Sequence, residues 1–423
     1  MDSLSAELLS RIFINVLPPH LDDARYPVDD PAPVQASVCC VCQKWNRAAK
    51  STPGFWTFIK ISPGASSHDV MKRRLELAGN SPLNVAMQFY LEGGEGSSPE
   101  VYELLLERVS QWKTLRVEAT IWEPSQLQQW IPDELPNVAS LHLKLEILDP
   151  IEEDDEDSRA PFISAPRLTF CSSDSPVWFP LAHCPLLQEY HVSGIGYGER
   201  GEPPRALEWS DFVTFLSEKC PRLEVLEVFN GSEIWPSVNE DPPEDWPTLT
   251  SLTTLRFTNG SSYMNIRCLL TRLKAPLLHL VEFQGVPTSD GSKDTNLSIA
   301  KVPFLVNNDG RIRFSGMSIS DLIAVVGRIS DVPDLRVEVD VASIIVGSSR
   351  TGEPASETLE FSSTAVLELR SRWEWVGQNL PKVSWVVPSD EGEGRLKRLG
   401  GADLIFDDAL AYLKNRMRLQ HKA

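Results

Sequence analysis

Apolar residues recur every fourth position at the start of the chain: Leu4, Leu8, Ile12 and Val16, with Leu9 and Phe13 beside them. That spacing predicts an amphipathic helix with one broad apolar stripe. Ser3 or Ser5 can cap it, and Glu7 sits where the helix dipole favours an anion. Pro18-Pro19 ends the pattern, and residues 18–33, with five prolines and four aspartates, read as a solvated loop. A second helical stripe runs through Val34, Val38, Val41/Cys42, Trp45 and Ala48/Ala49, and Ser51-Thr52-Pro53-Gly54 closes it with turn residues. Phe55 and Trp56 follow, then a β-prone run over 58–61. Two short helices cannot hide this much apolar surface from each other. Each Leu, Ile or Phe left exposed forgoes about 1.5–3 kcal/mol of burial. The stripe must therefore be covered by the rest of this chain or by another protein.

Beyond residue 62 a short phrase recurs: Pro, any, Leu, two residues, apolar, any, apolar. Pro221-Arg-Leu223-Glu-Val-Leu226-Glu-Val228 is the cleanest copy. Others start at Pro136, Pro185 and Pro276, and the copy at Leu252–Phe257 lacks the proline. Weaker echoes are Leu115/Val117, Pro166-Arg-Leu168, Ile312/Phe314, Pro333-Asp-Leu335 and Pro381-Lys-Val383. Internal repetition of this kind predicts one supersecondary unit stacked on the next. The turn after Pro leads into a strand, the alternating apolar residues face a shared core, and the first Leu packs beneath the strand. Return segments carry helical patterns, one through Leu104, Leu105, Val109 and Trp112, another through Phe212, Phe215 and Leu216. Cys184-Pro185 and Cys220-Pro221 each place a small thiol, expected to be buried, at the end of the outer element. The spacing between copies is irregular, which implies insertions or a degenerate array.

The ordered set Leu4-x-x-Glu7-Leu8-Leu9-x-x-Ile12-Phe13, Val38-x-x-Val41-Cys42-x-x-Trp45 and Ser51-Thr52-Pro53-x-Phe55-Trp56-x-x-Ile59 resembles an F-box. Ser5 stands where the family usually has Pro. The segments 73–85 and 111–115 resemble the linker and first repeat of fungal F-box proteins with degenerate leucine-rich repeats. The resemblance implies a small helical module that docks on the Skp adaptor of Skp–cullin–F-box ubiquitin ligases. Carried over, Leu4, Leu8, Leu9, Ile12 and Phe13 would contact the adaptor. Val38, Cys42 and Trp45 would support the module's core, and Pro53 and Trp56 would close it. The implied organisation is α/β: an F-box over 1–61, then an irregular leucine-rich-repeat solenoid, or horseshoe, over 62–390. Residues 391–423 would form a C-terminal helical cap, patterned by Phe406, Leu410, Leu413 and Met417.

Composition narrows the function classes. The 423 residues carry 59 acidic and 40 basic side chains, for a net charge of −19. The excess lies in 62–390, because 1–61 is neutral and 391–423 is slightly basic. General nucleic-acid binding and docking on an anionic membrane are both disfavoured. The N-terminus lacks a signal-peptide pattern and no apolar run spans a bilayer. The seven sparse cysteines fit reduced thiols, so a cytoplasmic or nuclear protein is expected. The six acids of 152–157 and the Pro-rich stretch 231–247 read as solvated insertions.

No catalytic constellation emerges. Gly196-Tyr-Gly198-Glu-Arg-Gly201 matches G-x-G-x-x-G, but Pro203-Pro204 stands where the helix of a dinucleotide site must start. Cys39-Cys40-x-Cys42 lacks metal-ligand spacing and a second ligand pair, so Cys39 and Cys42 are expected in the core. Cys171, Asp174 and His183 form a thiol-protease set only on paper. His142, His191 and His279 fall at alternate strand positions and are expected toward solvent or a concave face.

The resulting expectation is a non-enzymatic target-recognition subunit with no catalytic residues, metal or cofactor. Its partners would be a Skp-type adaptor, a cullin through it, and a target protein that is basic if the acidic surface meets it. The alternative is an F-box or leucine-rich-repeat scaffold acting outside ubiquitination.

Overall fold

The computed structural model describes residues 4–17, 30–62, 67–89, 99–121, 125–147, 162–174, 181–193, 209–229, 247–258 and 273–284, with the strand backbones 311–315, 336–340, 383–388 and 396–400. The acidic run 152–157, the glycine motif 196–201 and the helical pattern after residue 405 lie outside them. The chain is mixed α/β, built on mostly parallel strands, and divides into two units, Met1–Leu223 and Glu224–Ala423.

The first unit opens with three helices, α1 (Ala6–Asn15), α2 (Ala32–Val41) and α3 (Gln43–Lys50), and a 3-10 turn at Pro53–Phe55. Then come β1 (Phe58–Ile61), α4 (His68–Ala78), β2 (Leu83–Phe89), α5 (Pro99–Leu106), β3 (Trp112–Ile121), α6 (Ser125–Gln128) and β4 (Ser140–Ile147). The short β5 (Ile163–Ser164) and β7 (Leu181–His183) pair with each other. β6 (Phe170–Ser173), β8 (Glu189–Ser193) and α7 (Trp209–Lys219) complete the unit. Strands β1, β2, β3, β4, β6 and β8 pair in that order, all parallel.

Register explains the core. In successive strands Ile59, Val85, Leu115, Leu141, Cys171 and Tyr190 pair as one row, and Ile61, Met87, Val117, Leu143, Ser173 and Val192 as the next. Every member of both rows is buried. A period of two sends these residues to one face, and parallel pairing stacks like on like.

The turns before the strands that begin at Phe170, Glu189, Val225 and Leu280 are equally regular. The amide of Leu168 donates to the carbonyl of Ala165, and Leu187 donates to Cys184, Leu223 to Cys220 and Leu278 to Ala275, at 3.0–3.1 Å. Proline lies inside each turn, where its fixed φ suits the geometry. The acceptor is Ala or Cys, and each of these residues is buried. The Leu under the strand is buried as well: Leu168, Leu187, Leu223 and Leu278, with Val138 and Leu252 in the equivalent places.

In the second unit β9 (Val225–Phe229), β10 (Thr254–Thr258), β11 (Leu280–Gln284), β12 (Arg311–Ser315), β13 (Arg336–Asp340) and β14 (Val383–Pro388) are parallel neighbours in chain order. β15 (Leu396–Gly400) turns back antiparallel on β14, a strand that the helical pattern of the C-terminal segment did not suggest. Leu226, Leu255 and Val281 share one buried row, and Val228, Phe257 and Phe283 another.

Two helical readings are corrected. The stripe over 34–49 is two helices, because Cys42 is extended (φ −165°, ψ 169°) and ends one helix while capping the next. The pattern through Trp112 is not one helix either. α5 stops at Leu106, and Trp112 begins β3, paired with Leu83 and fully buried.

Arg74 ties the helical region to the sheet. Only 4% exposed, it reaches from α4 to donate to the carbonyl of Phe58 in β1 at 3.1 Å. Burial lowers its pKa, opposed by the carboxylate of Asp30. Gly79 ends α4 at φ 59°, a conformation that favours glycine, with its amide on the Leu75 carbonyl. Arg74→Ala should cost about 1–3 kcal/mol, from the lost bond and the orphaned carbonyl. Arg74→Met, which keeps the packing, should cost less. Denaturant unfolding of the full chain compares the two.

Candidate functional site

The N-terminal module is built around Phe13. Its ring lies 5.3 Å from that of Trp45 on α3 and 5.5 Å from that of Phe55, which in turn meets Trp56 at 5.3 Å. Leu9, Phe13, Val38, Ala48, Ala49, Phe55 and Trp56 are all buried. Polar groups lock this interior. Trp56 Nε1 donates to the Ala49 carbonyl at 2.8 Å, and Gln35 Nε2 to the Phe55 carbonyl at 2.7 Å. Ser10 and Thr52 hydroxyls meet at 2.7 Å, and Thr52 also donates to the Ala48 carbonyl. Such a network fixes the angle of α1 on α3.

With that interior filled, α1 still carries a second apolar face. Leu8 is 49% exposed, Ile12 40% and Val16 48%, at positions i, i+4 and i+8. Ile14 at 46% and Val41 at 52% add to the exposed apolar surface of the module. The ten residues of α1 thus serve two surfaces: Leu9 and Phe13 face inward, Leu8 and Ile12 outward. Ser5 accepts from the Leu8 amide at 3.2 Å and caps the helix. Gly54 lets the 3-10 turn approach α1, since a Cβ there would lie 3.3 Å from Ile14 Cδ1.

The remaining residues singled out by sequence are spread over the module. Leu4 and Trp45 are half-buried and Pro53 is exposed. Cys42, expected in the core, is exposed, and its sulfur caps α3 by accepting from the Trp45 amide at 3.5 Å. The helix break forces this, because an extended Cys42 points away from the stripe. Cys39 is half-buried, not core, and Asn46 satisfies its carbonyl at 2.9 Å. Periodicity along the chain does not mark Ile14 or Val41 as surface residues. An unbroken helix through Val41 would turn it inward.

The opposite face of the first unit's strands is polar but not open. Arg116 is 3% exposed and meets Glu118 at 2.5 Å; Gln88 donates to Glu118 at 2.8 Å. Burial disfavours the Glu118 charge, but these donors hold its pKa below the usual value. His142, expected toward solvent or a concave face, is 2% exposed, with the Phe170 ring 5.1 Å from its own. His191 flanks Phe170 on the other side at 4.7 Å and remains half-buried. In the second unit Glu227, Arg256 and Glu282 occupy one register row, and Arg256 reaches the two carboxylates at 3.7 and 3.0 Å. Acids in this row are compensated within the fold.

Cys171 is sealed in the core, and burial pushes its thiol well above the ordinary value. His183 is exposed on a different strand, and the structure does not bring the pair together. Among the described residues, no helix is long and apolar enough to cross a membrane. No family model matches the chain, and no curated protein matches it in sequence.

Asp174 takes a structural place. Its Oδ1 accepts from the Leu145 amide at 2.9 Å. Burial raises its pKa from 3.8 to about 7, against that bond and the charge of Lys144. The native carboxyl therefore holds a proton that the unfolded chain releases. Its stabilising contribution is complete below about pH 4 and is lost as pH rises through about 7. Asp174→Asn keeps the acceptor and removes the titration. Its melting temperature relative to wild type should rise by several degrees from about pH 5 to about pH 8.

Proposed function

We propose that this chain is the target-recognition subunit of a Skp–cullin–F-box type ubiquitin ligase. The N-terminal module docks on a Skp-type adaptor and, through it, a cullin. The observation that carries this reading is the division of α1. Leu9 and Phe13 already fill the module, yet Leu8, Ile12 and Val16 stay 40–49% exposed in one helical line. A line of aliphatic residues on a rigid helix suits helix-in-groove recognition, where a few anchors dominate affinity.

In the same reading the strands form a degenerate leucine-rich-repeat solenoid that presents a face to the target. Parallel neighbours in chain order and the repeated turn with its buried Leu support it. The chain contributes no catalytic group. Holding target and ubiquitin-transfer machinery together raises their effective concentration.

The double variant Leu8→Asp, Ile12→Asp should lose adaptor co-purification by at least about 100-fold, two buried anchors being worth that much. Its strand region should stay folded by circular dichroism. Retained binding would remove α1 from the interface. Adaptor bound without cullin would point to a scaffold outside ubiquitination.

A further inference from the structure

Two consecutive copies of the repeated phrase begin Cys-Pro, at Cys184-Pro185 and Cys220-Pro221. Both cysteines hold the same place in the turn, each accepting from the Leu three residues on. Equivalent places of successive turns come together in the fold. Cys184 Sγ lies 3.5 Å from Cys220 Sγ, and the Cys184 thiol also faces the Lys219 carbonyl at 3.6 Å. Both residues are buried, Cys184 fully and Cys220 at 2% exposure. Ala165 and Ala275 fill the same place in other copies, so packing alone does not require sulfur here.

We propose that Cys184 and Cys220 are a modification site: a reversible disulfide that latches the end of α7 to the preceding turn. A disulfide needs its sulfurs at about 2.05 Å, so the pair must close by roughly 1.5 Å, within reach of small χ adjustments. The oxidant is a low-molecular-weight disulfide. Cys220, just past the end of α7, loses its proton once that turn opens and attacks one sulfur of the reagent. A mixed disulfide forms and the first small thiolate leaves. Cys184 then loses its proton and attacks the Cys220 sulfur, and the second small thiolate leaves. Two protein thiols are oxidised, one reagent disulfide is reduced to two thiols, and the two protons pass to the leaving thiolates. Both cysteines are buried, so the reaction waits on opening of the last turn of α7 and is slower than at the exposed Cys40 and Cys42. Once formed, the link closes 36 residues of chain and constrains the unfolded state.

The test treats the full chain, under native conditions, with oxidised glutathione, followed by non-reducing digestion and mass spectrometry. Adducts on Cys40 and Cys42 show that the reagent is active. The expected product is a Cys184–Cys220 peptide pair, two hydrogens lighter than the free peptides. It should vanish on dithiothreitol treatment, and the linked protein should melt several degrees higher than the same sample reduced. Cys184→Ala, which places in the turn the residue found at 165 and 275, should leave Cys220 without a protein partner. Recovery of both cysteines as free thiols while Cys40 and Cys42 react would overturn the proposal. So would a link that forms only after denaturation.

Discussion

The hydrogen bond from the Leu amide to the residue before Pro, made in four turns, is the constraint on which the strands after them rest. It fixes where a strand starts, and so which alternate residues face the core. Because the same bond recurs at Ala165, Cys184, Cys220 and Ala275, the strands that follow begin in step. Parallel pairing then stacks Leu141 on Cys171 and Tyr190, and Leu255 on Val281. A slip of one residue would carry each row to the polar face, setting Arg116 and Glu118 against the core. The small acceptor residue matters as much as the Leu, because the turns must pack closely enough for their successors to stack.

The N-terminal module solves a different problem. Ten residues of helix must be held without burying every apolar side chain they carry. Phe13 does most of the holding, wedged between Trp45 and Phe55, and the hydroxyl pair of Ser10 and Thr52 fixes the helix beside them. Leu8, Ile12 and Val16 contribute little to the module itself. Leaving three aliphatic side chains in water forgoes several kcal/mol of burial. A partner that covers them recovers that energy on binding, which is the physical basis for reading the face as a docking surface. Arg74 ties α4 to β1, the strand that follows the module, through the Phe58 carbonyl.

The strands and their turns were legible in the sequence because one short phrase encodes both. Pro and Leu mark the turn, and the two alternating apolar positions mark the buried face. The division of α1 was not legible. Periodicity shows one broad stripe, and only the positions of α3 and the 3-10 turn decide that Leu9 falls inside and Leu8 outside. The break at Cys42 was hidden for a related reason. Nothing in Val41-Cys42-Gln43 forbids a helix, and the extended conformation is held by the cap it offers α3. The burial of His142 was not legible because alternation assigns a face, whereas burial depends on neighbours such as the Phe170 ring. The closeness of Cys184 and Cys220 was implicit in their shared phrase, but contact needed the turns in place. The pairing of Arg256 with both Glu227 and Glu282 within one row was not legible either, since composition counts charges without placing them.

The central claim is that the outward face of α1 is an interface held ready by a filled interior. Hydrogen exchange of the full chain, alone and with a Skp-type adaptor, tests it most directly. The account predicts that the α1 amides, Ala6–Asn15, gain further protection when the adaptor binds, while β3 and β4 change little. Protection of α1 that is already complete in the free chain and unaltered by the adaptor would contradict it.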